Sequence, residues 1–210
     1  MDIKSYKNII FDLGGVIIDI DPLKAVEAFA NYAYKEGNGD INQMYEKIVN
    51  GTLLMDYEKG KINDADFRVA LNDKLDLELT NEKFDEAFNA LLLDYTSERL
   101  KLLIELKKTH NIYLLSNTCH IHYQHYNNLL KEKYGFSDLK DVFHKTYLSF
   151  EMGLRKPDIK IYKMVLEDAK INAEDTIFID DSLQNVEAAE MSGIKGLHKP
   201  QEVDLVTLFE

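Results

Sequence analysis

Four clusters of polar residues in this chain each follow a short apolar run, and together their types could do chemistry. Asp12 ends Ile9-Ile10-Phe11, and Ser116-Asn117-Thr118 ends Ile112-Tyr113-Leu114-Leu115. Lys156 lies just past a third run at 145–149, and Asp180-Asp181 ends Thr176-Ile177-Phe178-Ile179. Two or three carboxylates brought together repel one another unless a cation sits between them. A donor set of oxygens without Cys or His favours Mg²⁺. A hydroxyl, an amide and a lysine supply donors for an anion. The set reads as a metal-assisted phosphate site, with one carboxylate free to act as nucleophile. Strand ends often carry polar residues, so each cluster alone says little; the four in this order say a good deal.

Such a site needs a fold that gathers strand ends. Short apolar runs alternating with helical patterns predict an α/β protein with a parallel, doubly wound sheet, which collects ligands outside the carboxyl ends of its strands. Gly14 and Gly15 after Asp12 permit a sharp turn that brings backbone N–H groups toward an anion. Asp21-Pro22 marks a helix start, Asp as N-cap and Pro at the first helical position. From 23 to 93 the pattern is almost wholly helical. Ala25, Phe29 and Tyr32 share a face, Gly37-Asn38-Gly39 is predicted to break that helix, and Ile41, Tyr45, Ile48 and Val49 form a second amphipathic face. Further helix starts fall at Asn63 and Thr80. About seventy residues of helix exceed the dozen or more that a plain crossover needs. The expected division is therefore an α/β core of 1–21 with 95–210, and an inserted helical cap over 22–94. Beyond the cap, helices are predicted over 97–108, 121–134, 157–169 and 182–191, with strands at 145–149, 176–179 and 194–197.

Composition narrows the classes of function. The 210 residues suit one domain or a domain with a modest insertion. A formal net charge of -12 leaves no basic footprint for nucleic acid and no polybasic membrane patch. No apolar run approaches the ~20 residues of a membrane span, and the amino terminus lacks a signal-like apolar core. Cys119 is the single cysteine, which fits a reducing cytoplasm. A cytoplasmic protein this acidic that acts on a phosphate dianion must build its attraction locally, with a lysine and a metal.

The motifs resemble those of the haloacid dehalogenase (HAD) superfamily of hydrolases with a helical cap inserted after the first strand. Asp12 matches the nucleophile motif, Ser116-Asn117-Thr118 the second, Lys156 the third and Asp180-Asp181 the fourth. The stretches 147–158 and 178–187, and Glu58-Lys59-Gly60-Lys61-Ile62 in the cap, sharpen the likeness to bacterial phosphatases that include the α-D-glucose-1-phosphate phosphatase. The resemblance implies that Asp12 attacks phosphorus and that water hydrolyses the resulting aspartyl-phosphate. It implies Mg²⁺ held by Asp12, the Gly14 carbonyl and the acidic pair, Asp181 directly and Asp180 near or behind it. Ser116, the Asn117 N–H and Lys156 would hold the transferring oxygens, and Asn185 would orient Lys156 or the acidic pair. His122 is expected to touch substrate or hydrogen-bond at a helix start, and Glu58 to meet substrate from the cap or to stand as a helix-end charge.

One position departs from the pattern. Most phosphatases of the superfamily carry a general acid two places after the nucleophile, where this chain has Gly14. A substrate whose leaving oxygen is already stabilised, such as a sugar 1-phosphate, would tolerate that gap; Asp19 and Asp21 could donate instead, though helix capping is the plainer role for both. The gap also admits a metal-independent 2-haloacid dehalogenase, but such enzymes do not keep the acidic pair. A phosphosugar mutase and a catalytically idle binding module on the same fold are the remaining alternatives.

Overall fold

The computed structural model describes residues 2–34 and 40–210; the predicted helix break at Gly37-Asn38-Gly39 lies outside them. Five strands, β1 (Asn8–Phe11), β4 (Asn111–Ser116), β5 (Lys145–Leu148), β6 (Thr176–Asp180) and β7 (Lys195–His198), form one parallel sheet in the order β5-β4-β1-β6-β7. Every residue of β1 is buried, as expected of a central strand covered on both faces. Helices α6 (Ser97–Lys107), α7 (His120–Leu129), α8 (Leu139–Val142), α9 (Ser149–Met152), α10 (Ile159–Ala169) and α11 (Leu183–Met191) connect and cover the strands. Leu100, Leu103, Leu114 and Ile179 pack on one side of the sheet, and Ile10, Leu115, Ile161 and Phe178 on the other.

Between β1 and α6 the chain leaves the sheet and returns. It leaves along β2 (Ile18–Ile20) and comes back along β3 (Leu92–Tyr95), and the two pair antiparallel. The expectation of an almost wholly helical 23–93 is corrected at its end, where Leu92 and Leu93 belong to this ribbon. Helices α1 (Pro22–Tyr34), α2 (Ile41–Val49), α3 (Leu53–Glu58), α4 (Asp64–Leu75) and α5 (Asn81–Asn89) lie beyond the ribbon. Asn63 and Thr80 cap α4 and α5 as predicted, accepting from Asp66 N and Lys83 N.

These five helices share their own core of aromatic side chains. Phe84 packs edge-on against Phe29 and Phe67 with centroids 5.4 and 5.9 Å apart, and Tyr57 stacks on Phe67 at 3.9 Å. Cys119 and Ile121, at the start of α7, join that cluster and anchor it to the sheet domain. The predicted face of α2 behaves differently: Met44 is buried, whereas Ile41, Tyr45 and Val49 remain about 40% exposed.

Removing the Phe84 ring would leave a cavity in the aromatic cluster. Phe84→Ala is expected to destabilise the protein by about 3–5 kcal/mol in urea unfolding; a cost under about 1 kcal/mol would mean that the helices hold together by other contacts.

Candidate active site

Strand register brings the predicted residues together. Phe11 lies opposite Ile179, so Asp12 and Asp180 come level on neighbouring strands, and the Asp12 N–H donates to Ile179 O at 2.9 Å. Adjacent strands lie about 4.8 Å apart, which forces the two carboxylates to face each other. Lys156 closes that gap: its Nζ lies 2.7 Å from Asp12 Oδ1 and 2.7 Å from Asp180 Oδ2. All three side chains are buried. Burial pulls the lysine pKa down, but the two carboxylates outweigh it and hold the ammonium above its ordinary value. Asp12 is pushed up to about 7, chiefly by burial, with Lys156 opposing and Asp180 and Asp181 adding.

The acidic pair divides into two roles. Asp180 is saturated: besides Lys156, it accepts from Ser182 N at 2.8 Å and from Asn185 Nδ2 at 3.0 and 3.1 Å. Asn185 thus grips Asp180, one of the two expectations for it. The Asp181 carboxylate enters no ion pair among the described residues, and burial and Asp180 both raise its pKa. One oxygen each from Asp12, Asp180 and Asp181 lies within 4.8 Å of the others. Three acidic groups sharing one ammonium are an all-oxygen donor set still short of positive charge, and a hard divalent cation fits them. Asp12 and Asp181 are the carboxylates with capacity to hold it.

The turn after Asp12 is shaped for this pair. Gly15 has φ +71°, and a Cβ there would stand 2.2 Å from Asp181 Oδ2, so a side chain would displace that carboxylate. Leu13 O takes the N–H groups of Ile17 and Ile18, and Gly15 O takes the buried Lys199 ammonium at 2.8 Å. Gly14 O accepts no hydrogen bond among the described residues, which leaves it available to a cation. Beside Gly14 the side chain of Ile20 fills the space: a Cβ on Gly14 would meet Ile20 Cδ1 at 3.3 Å.

Ser116 and Asn117 emerge from β4. The Asn117 side chain clamps the Lys156 backbone, donating to Lys156 O at 2.9 Å and accepting from Lys156 N at 2.8 Å. Ser149 fastens the next residue, accepting the Thr118 N–H and donating to Thr118 O, both at 2.9 Å. Lys156 is therefore held at its backbone by Asn117 and at its ammonium by two carboxylates.

Helices α1–α5 close over these groups. Arg155 Nε donates to Glu58 Oε2 at 2.8 Å, which joins α3 to the loop carrying Lys156. Gly60, at φ +66°, lets the following turn approach so closely that a Cβ would lie 2.2 Å from Phe150 O. Tyr57 adds a second tie, its hydroxyl donating to Asp64 at 2.8 Å and accepting from Ile121 N at 3.2 Å. A cavity of about 260 Å³ lies between the helices and the sheet, touching Gly14, Ser116, Asn117, Glu58 and His122. His122 stacks on Phe88 at 4.2 Å, and its Nδ1 lies 2.9 Å from Asn89 Oδ1. Burial, with a smaller contribution from His125, drops its pKa to about 3, so the ring is neutral.

Asp19 and Asp21 separate here. Asp21 does cap α1, accepting from Leu23 N at 3.1 Å, but Asp19 does not: it pairs with buried Arg99 at 2.6 Å. His120 pairs with Asp64, and among the described residues the aspartate trio is the one group with metal-holding geometry. Cys119 is buried, and burial pushes its thiol far above the ordinary value, which makes it inert. Sequence reasoning passed over Ile20, Ser149, Arg155 and Lys199. Arg155 stands beside Lys156 and could have been paired with Glu58; nothing in the local sequence marks Lys199 as a prop for a turn 184 residues away.

Relatives match this chain over nearly their whole length. A D-ribitol-5-phosphate phosphatase of Bacteroides thetaiotaomicron is 32% identical over 197 residues, covering 90% of this chain and 89% of the relative. A sesquiterpene phosphatase of Aspergillus oryzae is 29% identical, covering 92% and 90%. The crystal structure of a HAD family enzyme from B. thetaiotaomicron, in complex with magnesium and inorganic phosphate, superposes with a TM-score of 0.84. It is 33% identical, with 98% of this chain and 100% of that one covered. Residues 6–193 match the haloacid dehalogenase-like hydrolases, and with Asp12, Lys156 and the acidic pair meeting on one sheet edge, the chain belongs to that family.

Proposed function

We propose that this chain is a Mg²⁺-dependent phosphatase of a small phosphorylated metabolite, working through an aspartyl-phosphate on Asp12. The single observation that carries the reading is the Asp12–Lys156–Asp180 contact with Asp181 left open beside it. Asp12, Asp181 and the Gly14 carbonyl would hold Mg²⁺, with Asp180 behind them. When bound, the ion offsets the charge of the carboxylates and of the phosphoryl oxygens. Asp12 Oδ attacks phosphorus as the P–O bond to the leaving alcohol breaks, and water then cleaves the acyl-phosphate to return the carboxylate and release phosphate. Lys156, Ser116 and the Asn117 N–H stabilise charge on the transferring oxygens, and an ammonium fixed in advance does so without reorganising. Asn185 positions Asp180, and through it Lys156.

The segment 22–94 acts as the cap over a core of 1–21 and 95–210, swinging on the β2–β3 ribbon and excluding water when seated by Glu58 and Arg155. Relatives named for a ribitol phosphate and for sesquiterpenes bracket the substrate range. An oxygen that leaves readily, as in a sugar 1-phosphate, suits a site with Gly14 in place of the proton donor. No helix among the described residues is long and apolar enough to cross a membrane, and the single cysteine supports a cytoplasmic enzyme.

Purified protein is expected to release phosphate from acetyl phosphate and a panel of metabolite phosphates with Mg²⁺, and to stop with chelator. Asp12→Asn is expected to lower kcat at least 10³-fold; unimpaired turnover in that variant would remove the nucleophile. For Gly14, glucose 1-phosphate and glucose 6-phosphate differ mainly in their leaving oxygen. Wild type should favour the 1-phosphate, and Gly14→Asp combined with Ile20→Ala, which clears the space, should raise the 6-phosphate rate by about 10²-fold or more. Equal wild-type rates, with no gain in the variant, would show that Gly14 does not set the leaving-group requirement.

A further inference from the structure

The cavity above the phosphoryl site has walls unlike those expected for a sugar. Leu13, Ile18, Ile20 and Leu92 line it from the sheet side and ribbon, and Phe29 and Val26 from α1. The face of α2 completes it with Tyr45, Ile48 and Val49. That face is the one the sequence marks as amphipathic and the one the protein leaves uncovered, with Tyr45 42% and Val49 39% exposed. An apolar face directed at a ligand cavity has a use that an apolar face directed at water lacks.

The polar groups that reach the cavity are few and mostly engaged. Glu58 is held by Arg155, and His122 Nδ1 by Asn89. Ser116 and Asn117 belong to the phosphoryl end. The His122 ring and the hydroxyls of Tyr45 and Thr118 are the other polar groups on its wall; the Tyr126 hydroxyl is enclosed, without a hydrogen-bond partner among the described residues, and presents no accessible donor to a substrate. A polyol buries four or more hydroxyls, each needing partners, and a buried hydroxyl without one is costly. An alkyl, terpenoid or aromatic tail needs none. At roughly the 30 Å³ that a water molecule occupies, the cavity takes on the order of ten non-hydrogen atoms, and the partly exposed Tyr45 and Val49 on its wall offer apolar surface to a longer chain.

Resting on the phosphatase reading for its chemistry, we propose that this enzyme prefers phosphate monoesters of apolar alcohols to those of polyols, with the α2 face binding the tail. The reaction is the ordinary one: the ester P–O bond breaks, water supplies the hydroxyl to phosphate, and the alcohol leaves with a proton.

n-Octyl phosphate and ribitol 5-phosphate test this, because both lose a primary alcohol and differ only in the tail. Calorimetry on Asp12→Asn with Mg²⁺ is expected to give octyl phosphate a Kd at least tenfold below that of ribitol 5-phosphate, and turnover by wild type to give a kcat/KM ratio of tenfold or more in the same direction. Val49→Asp, a change at a partly exposed position, should lower the octyl-to-acetyl phosphate selectivity at least tenfold. Equal binding of the two tails, tighter binding of ribitol 5-phosphate, or a Val49→Asp protein with unchanged selectivity would each overturn the proposal. If octyl phosphate binds preferentially but no ester is hydrolysed, the tail preference stands and the phosphatase reading falls.

Discussion

The contact on which the rest depends is one ammonium shared by two buried carboxylates. Parallel strands in register cannot place Asp12 and Asp180 side by side without mutual repulsion, and Lys156, 2.7 Å from each, is what makes the arrangement tolerable. Without it Asp180 would be an uncompensated buried charge, a loss of about 3–5 kcal/mol. The same ammonium explains the division of labour in the acidic pair. Once Lys156, Asn185 and Ser182 have taken the oxygens of Asp180, that residue has little left for a cation, and Asp181 is the one without an ion pair among the described residues. The groups that support folding and the groups that support chemistry are here the same groups.

Positioning then spreads outward from the lysine. Its backbone is clamped by Asn117, which ties the tip of β4 to the loop before α10. Its neighbour Arg155 reaches up to Glu58, so the loop that carries Lys156 is also the loop that seats α3. On the far side Lys199 holds Gly15 O, and Gly15 leaves the room that Asp181 needs. The contact of α3 with the sheet domain and the carboxylate–lysine cluster are thereby joined through two consecutive residues, 155 and 156, without any long relay.

Much of this was legible because strand ends and helix starts are local. The apolar runs ending on Asp12, Ser116 and Asp180, the caps at Asn63 and Thr80, and the inserted helices could each be read from a short window, and the motifs supplied the chemistry. What escaped was non-local. Leu92–Tyr95 follows a helical pattern and becomes a strand because Ile18–Ile20 is there to pair with it. Asp19 looks like a helix-start residue until Arg99, 80 positions away, takes it. The α2 face was correctly read as apolar, yet periodicity cannot say whether such a face meets protein or ligand. Ile20 beside Gly14 is a related case: the missing proton donor was visible in the sequence, the hydrocarbon in its place was not.

The most direct test of the shared-ammonium site is to mimic the phosphorylated nucleophile. Beryllofluoride added to the protein with Mg²⁺ should give a bound ¹⁹F signal, with the adduct on Asp12 in a crystal structure and Lys156 Nζ turned to a fluorine. The signal should be absent with chelator and in Asp12→Asn. An adduct that forms unchanged without Asp12, or one lying away from Lys156 and Asp181, would contradict the account.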